Sequence, residues 1–216
     1  MSGKVIATGG AGVIGRAICD RLAVGGYEPI AADLPGSCDV GKPLEHPFVA
    51  LDVSDPASVK DVVTSIVSGG SLAGLVNCAG VLRDSFLGEL DESKPDVMFQ
   101  VNIAGMARMV DAAAPHIVDA GSIVNIGSLT GHFGRFTGAS VYGATKAGIA
   151  AYTRYLASAL AAGIRVNNVA PGVIRAPMGP SMARVSGGEE VSAQYAMLKR
   201  IGEPEEVAEV VEFFIS

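Results

Sequence analysis

The chain has 216 residues, 49% of them apolar and 18% charged, with a positive mean hydropathy. That is enough for one well-buried domain spanning 1–216, and it excludes a disordered protein or a large second lobe. Sixteen Lys and Arg against 22 Asp and Glu leave a net charge of -6 and no basic run longer than Lys199-Arg200, which excludes a nucleic-acid partner or an anionic-membrane surface.

Short β-branched runs alternate with longer amphipathic stretches, which predicts an α/β fold: a Rossmann-like, doubly wound parallel sheet in three layers. Lys4 to Thr8 reads as the first strand, and Thr8-Gly9-Gly10-Ala11-Gly12-Val13-Ile14-Gly15 leads into a helix over Val13 to Ala23 that Gly25-Gly26 ends. Tyr27 to Ala32 is a second strand closing on Asp33, and Phe48 to Leu51 a third closing on Asp52. Asp55-Pro56 starts a helix with a capping residue and a proline in its first turn. Leu72 to Asn77 is strand four. A long helical pattern then runs from Pro95 to about Asp119, with Asn102 as a locally unfavoured polar position, and Ser122 to Ile126 is strand five. Gly138 to about Ala161 is a second long helix, and Ile164 to Val169 is strand six. Both long helices have little polar surface, which predicts packing against a partner. Residues 177–200 form a Gly/Met/Pro-rich excursion suited to a substrate-covering lid, and Glu205 to Ile215 is a last helix capped by Glu203-Pro204.

Glycines between a first strand and a first helix permit a tight turn and let a pyrophosphate approach backbone N–H groups at the helix N-terminus. Asp33 follows Gly15 by 18 positions, close to the spacing of about 20 for an acid that accepts hydrogen bonds from an adenosine ribose. Its charge repels a 2′-phosphate, and Leu34-Pro35 supply no cation, so NAD is favoured over NADP. Arg16, in the first helical turn, is the one residue placed to argue the other way. Tyr142 and Lys146 lie four apart on one helical face, so an ammonium near a phenol hydroxyl, helped by a positively charged nicotinamide, favours the phenolate. Three widely spaced cysteines and three scattered histidines predict neither a disulfide framework nor a metal site. A reducing, cytoplasmic setting follows.

Together with Asn77-Cys78-Ala79-Gly80, Val101-Asn102, Ser128, Tyr142-x-x-x-Lys146, Pro171-Gly172 and Arg200-Ile201-Gly202-Glu203-Pro204-Glu205-Glu206, these features resemble the single-domain branch of the short-chain dehydrogenase/reductase family over nearly the whole chain. The resemblance implies Tyr142 as general acid/base, Lys146 lowering its pKa and holding the nicotinamide ribose, and Ser128 placing the substrate oxygen. It implies that Asn102 links Lys146 to a proton-relaying water. It also implies cofactor contacts at Gly9, Gly12, Val13, Ile14, Gly15, Asp33, Asp52, Val53, Asn77, Ala79, Gly80, Pro171, Gly172 and Ile174, and a homo-oligomer.

The chain departs from that branch in three places. Val13 replaces the middle glycine of T-G-x-x-x-G-x-G, Ala176 stands where a threonine often helps bind the nicotinamide amide, and a last strand beyond Ser216 is absent, as expected of a truncated chain. The expected reaction is interconversion of a secondary alcohol and a ketone, with an apolar substrate, whether steroid-like, aliphatic or acyl. Leu129, Phe133, Val173, Met178, Met182 and Met197 supply candidate apolar walls, with His132 and Arg135 as candidate polar contacts. The alternatives are a 3-oxoacyl thioester reductase within the same chemistry, a nucleotide-sugar epimerase or dehydratase, and a non-catalytic NAD-binding protein.

Overall fold

The alternation along Lys4–Thr8, the first strand (β1), decides the layers: Ile6 faces one side and Val5 and Ala7 the other, all fully buried. The computed structural model describes residues 3–37, 43–176, 184–185 and 187–216. Strands β2 (Glu28–Asp33), β3 (Phe48–Ala50), β4 (Leu72–Asn77), β5 (Ile117–Ile126) and β6 (Arg165–Val169) join β1 in a sheet of order β3-β2-β1-β4-β5-β6. Every pairing is parallel. Parallel neighbours need crossovers, and these carry the helices that cover both faces.

One face is covered by α1 (Val13–Val24) and α7 (Pro204–Ile215), whose Ile18, Leu22, Val207 and Val211 pack on Val5, Ala7, Val76 and Val124. The other is covered by α2 (Pro56–Val67), α4 (Met106–Ala113) and α5 (Ser140–Ala159), where Val59, Val63, Met109 and Leu156 meet Ile6, Leu75 and Ile123. Local chemistry sets the helix ends. The Asp55 carboxylate accepts from Ala57 N at 2.9 Å, and Glu203 and Glu206 cap α7 reciprocally. The short α3 (Ser93–Phe99) and α6 (Glu189–Tyr195) flank the crevice side.

The long helix expected from Pro95 to Asp119 is not continuous. It begins as α3, becomes π-helical over Gln100–Gly105, resumes as α4 and ends at Ala113. Pro115 has no N–H and confines Ala114, so the chain makes one tight turn and enters β5 at Ile117, ahead of the expected Ser122. Within β5, Ala120 adopts φ 64° and donates its N–H to Gly163 O at 2.6 Å, and the register against β4 shifts between Leu72 and Gly74. Of the 177–200 excursion, residues 177–183 and 186, with Met178 and Met182, lie outside the described residues. Among the described residues no helix is long and apolar enough to cross a membrane, and no cluster of metal-ligating side chains occurs.

The strand order reverses between β1 and β4, so the crevice beyond their C-terminal ends, at Thr8 and Asn77, is where a parallel sheet of this kind takes a ligand.

Candidate active site

The turn after β1 brings the backbone close to Ala79 and opens α1. Gly9 has φ +66°, and a Cβ there would lie 2.9 Å from Ala79 N; a Cβ on Gly15 would fall inside the contact shell of the Gly9 carbonyl oxygen. Only glycine fits either place. The first bond of α1 runs from Arg16 N to Gly12 O at 2.8 Å, so the N–H groups of Val13, Ile14 and Gly15 have no carbonyl within the helix. The site thus fits a dinucleotide pyrophosphate. Asp33 braces the turn: its carboxylate accepts from Ala11 N at 3.0 Å and Leu34 N at 2.8 Å, leaving lone pairs for a ribose diol. Arg16 turns inward, Nε donating to Ala11 O at 2.7 Å.

Thr8 carries a role that its strand position gave no sign of. Its Oγ1 accepts from both Cys78 N and Ala79 N at 3.1 Å, which fixes the Cys78-Ala79-Gly80 segment against the glycine turn. Asn77 points away from that segment, donating to Asn125 Oδ1 at 2.9 Å, and Asn125 donates to Thr153 on α5. This buried ladder ties β4, β5 and α5 together beneath the crevice. Asp52 is likewise occupied locally, accepting from Ser54, while Val53 is buried.

The second half of the site hangs on α5. Its buried residues include Tyr142, Thr145 and Lys146, and the turn carrying Ser128 presses against it. Gly131 makes that approach possible, since a Cβ there would lie 2.6 Å from Ala147 N. The outcome is that Ser128 sits close enough to the Tyr142 hydroxyl to ease its ionisation. Burial pushes that hydroxyl up to about 12, and Ser128 pulls it partly back. Lys146 Nζ donates to Ile126 O at 2.8 Å, lies 5.7 Å from the Tyr142 ring centroid and is pushed down to about 8 by burial. Ser128, and not Lys146 as its spacing predicts, is the group that eases Tyr142 ionisation, because the ammonium is turned toward a carbonyl.

Asn102 lies in the π-helical stretch and is fully engaged: Oδ1 accepts from Val81 N at 2.8 Å, and Nδ2 donates to Val81 O at 2.9 Å and to Thr145 Oγ1 at 3.0 Å. It staples the loop after β4 to α5. A Cβ on Gly80 would lie 3.4 Å from Lys146 Nζ and 3.5 Å from Asn102 Oδ1, so both polar groups border the same small space.

These parts surround a cavity of about 1220 Å³ whose walls include Ile14, Gly80, Ser128, Tyr142, Lys146 and Ile174. Pro171 and Gly172 complete the floor, and Pro171 O accepts from Leu129 N at 2.8 Å. The Arg200–Glu206 segment holds that floor: Gly202 N donates to Val173 O at 2.9 Å, and Arg200 makes a two-pronged pair with Glu206. Ala176, Leu129, Phe133, Val173, Met197, His132 and Arg135 line the outer part, with Phe133 and Met197 largely exposed at its rim. Asn77, Ala79, Val53 and Asn102 border a separate small cavity behind the main one.

A dinucleotide crevice joined to a Ser-Tyr-Lys set whose Tyr142 and Lys146 are buried defines a nicotinamide-dependent oxidoreductase site. Residues 9–216 match the family model described as enoyl-(acyl carrier protein) reductase. The chain is 35% identical over 236 residues to the 3-oxoacyl-(acyl-carrier-protein) reductase FabG of Thermotoga maritima, covering 100% of this chain and 92% of that protein. It is 34% identical over 235 residues to the (3R)-3-hydroxyacyl-CoA dehydrogenase of Mus musculus, covering 100% and 90%. Among solved structures, the ligand-free aldohexose dehydrogenase of Thermoplasma acidophilum superposes with a TM-score of 0.89 at 27% identity, covering 100% of this chain and 87% of the other. A short-chain dehydrogenase of Burkholderia cenocepacia in complex with NADP gives 0.86 at 28% identity, covering 98% and 89%. The chain belongs to the short-chain dehydrogenase/reductase family. It is an oxidoreductase acting on CH–OH groups of small molecules with a nicotinamide cofactor.

Proposed function

We propose that the chain is an NAD-dependent enzyme that interconverts a 3-oxoacyl and a 3-hydroxyacyl thioester, with Tyr142 as the proton donor and acceptor. The observation that carries this reading is the convergence of Ser128, Tyr142 and Lys146 on the wall of one cavity lined mainly by apolar side chains. The acyl relatives support the substrate class.

A bound nicotinamide supplies the hydride acceptor for the alcohol or the hydride donor for the ketone. Ser128 Oγ and the Tyr142 hydroxyl hold the substrate oxygen, and the phenol gives it a proton during reduction or takes one during oxidation. The low-dielectric wall strengthens both hydrogen bonds. Lys146 exchanges its Ile126 carbonyl for the hydroxyls of the nicotinamide ribose. A water in the space bordered by Gly80, Lys146 and Asn102 returns the proton to solvent. Residues 177–200 act as the lid over this single catalytic domain.

NAD is supported by the Asp33 carboxylate, by the absence of a cation among Leu34-Pro35-Gly36-Ser37, and by the inward turn of Arg16. Its cofactor contacts are the first-turn N–H groups, Asp33 on the ribose, Asp52 and Val53 near the adenine, and the backbone from Asn77 to Gly80 and at Pro171, Gly172 and Ile174. A cytoplasmic setting suits the free thiols of Cys19 and Cys78. A homo-oligomer suits the exposed Phe99 and Tyr155 on α3 and α5, and a purely monomeric light-scattering mass excludes it.

Parallel titrations with NADH and NADPH, followed by nicotinamide absorbance after adding a 3-oxoacyl thioester, test the reading. Tighter NADH binding and thioester-dependent NADH loss are expected. Preference for NADPH overturns the Asp33 assignment, and binding of neither overturns the whole.

A further inference from the structure

Ser192 lies on α6, inside the 177–200 segment, and is 3% exposed. Its Oγ has no hydrogen-bond partner, although the residue lines the main cavity. A serine hydroxyl in a helix ordinarily bonds the carbonyl one turn back or water. Here the backbone N–H of Ser192 takes Gly188 O at 3.1 Å, and the hydroxyl is left over. Val185 and Ala196, which line the same cavity, offer no side-chain polar group. The position of α6 is well defined: Arg135 donates to Tyr195 O at 2.8 Å with its guanidinium 4.7 Å from the Tyr195 ring centroid, and Arg175 pairs with Glu189 at 2.5 Å.

A buried hydroxyl without a partner is costly, and a ligand group that pairs with it recovers the loss. Resting on the reading above, we propose that Ser192 is a specificity-determining residue that hydrogen-bonds a second, uncharged oxygen of the substrate, the thioester carbonyl beta to the reacting ketone. An uncharged partner is indicated because the hydroxyl is neutral and its wall apolar. The cationic Arg135 sits out on the exposed rim, where an anionic group would be drawn instead. A ketone without the second oxygen leaves Ser192 unpaired, so the site discriminates against it.

The test compares the native chain with Ser192→Ala and Ser192→Thr on a 3-oxoacyl N-acetylcysteamine thioester and a monoketone of matched length. The quantity read is the ratio of the two kcat/KM values, with calorimetric affinity for the 3-hydroxyacyl thioester as a second readout. The alanine variant is expected to lower the ratio by about ten- to a hundredfold and to weaken product binding in parallel, with threonine restoring both. An unchanged ratio in a chain that turns over the thioester overturns the role of Ser192 alone. A native chain that reduces the monoketone but not the thioester, or neither, overturns the substrate class and this inference with it.

Discussion

Burial acts on Tyr142 and Lys146 in opposite directions because it disfavours whichever form is charged: the phenol is held up to about 12 and the ammonium down to about 8. A phenol at 12 is almost wholly protonated near neutral pH, so on the proposed mechanism the positive charge of an oxidised nicotinamide is what brings the phenolate into range. The rate of alcohol oxidation at saturating NAD is therefore expected to rise with pH and level off well below 12, with ketone reduction falling over the same interval; a rate still climbing at pH 11 contradicts this. Lys146 also makes a stability prediction. Its folded value lies below the ordinary 10.5, so between about pH 8 and 10.5 the unfolded chain binds more protons and stability rises with pH. Relative to Lys146→Met, the native chain should gain up to about 3 kcal/mol across that window in denaturant titrations, and a flat difference rules the buried ammonium out. At this scale the sequence was legible where type and spacing bring side chains to one place, as for Ser128, Tyr142 and Lys146 on one cavity wall. It was not legible where the role depends on a partner far along the chain. Asn77 to Asn125 and Thr8 to Ala79 are such cases, and so is the turn of Lys146 toward Ile126.

The glycine turn shows what an element tolerates. Gly12→Ala would bring a Cβ to 3.2 Å from Gly9 O, a contact that a small shift relieves, whereas the same change at Gly15 drives into the Gly9 carbonyl. Gly15→Ala is expected to destabilise the fold by roughly 1–3 kcal/mol and to weaken NADH binding, with Gly12→Ala near native in both. Equal effects contradict the geometry. Ala120 in β5 offers the opposite case, a residue with a side chain at φ 64°. Ala120→Gly is expected to raise stability by about 0.5–1 kcal/mol, read as a higher denaturant midpoint at constant slope. Strands were the most legible elements, because strands buried on both faces read as continuous apolar runs and β4 matches its expected bounds. The α3–α4 region was least so. Helical periodicity survives a π-helical insertion and runs on through residues that Pro115 forces out of the helix, so the pattern outlasts the structure.

At the scale of the molecule, the strand order places the glycine turn after β1 and the Ser128 turn after β5 at the same end of the sheet, on either side of β4, and the Asn77–Asn125–Thr153 ladder ties β4 and β5 to α5. That architecture was legible from alternating elements alone, whereas the place of Ser192 on the cavity wall was not, since the wall exists only once the chain has folded. A ligand that bridges β1, β4 and α5 binds only the folded chain, so NADH at a hundredfold excess over its Kd should stabilise the protein by about 2.7 kcal/mol. Unchanged unfolding in NADH excludes the crevice as its site. The central claim is that this fold exists to place one proton donor against a nicotinamide. Tyr142→Phe, assayed side by side for turnover and for NADH affinity, tests it most directly. A loss of about a hundred- to ten-thousandfold in kcat with NADH affinity retained is the predicted result. Turnover that survives the loss of the hydroxyl would contradict it.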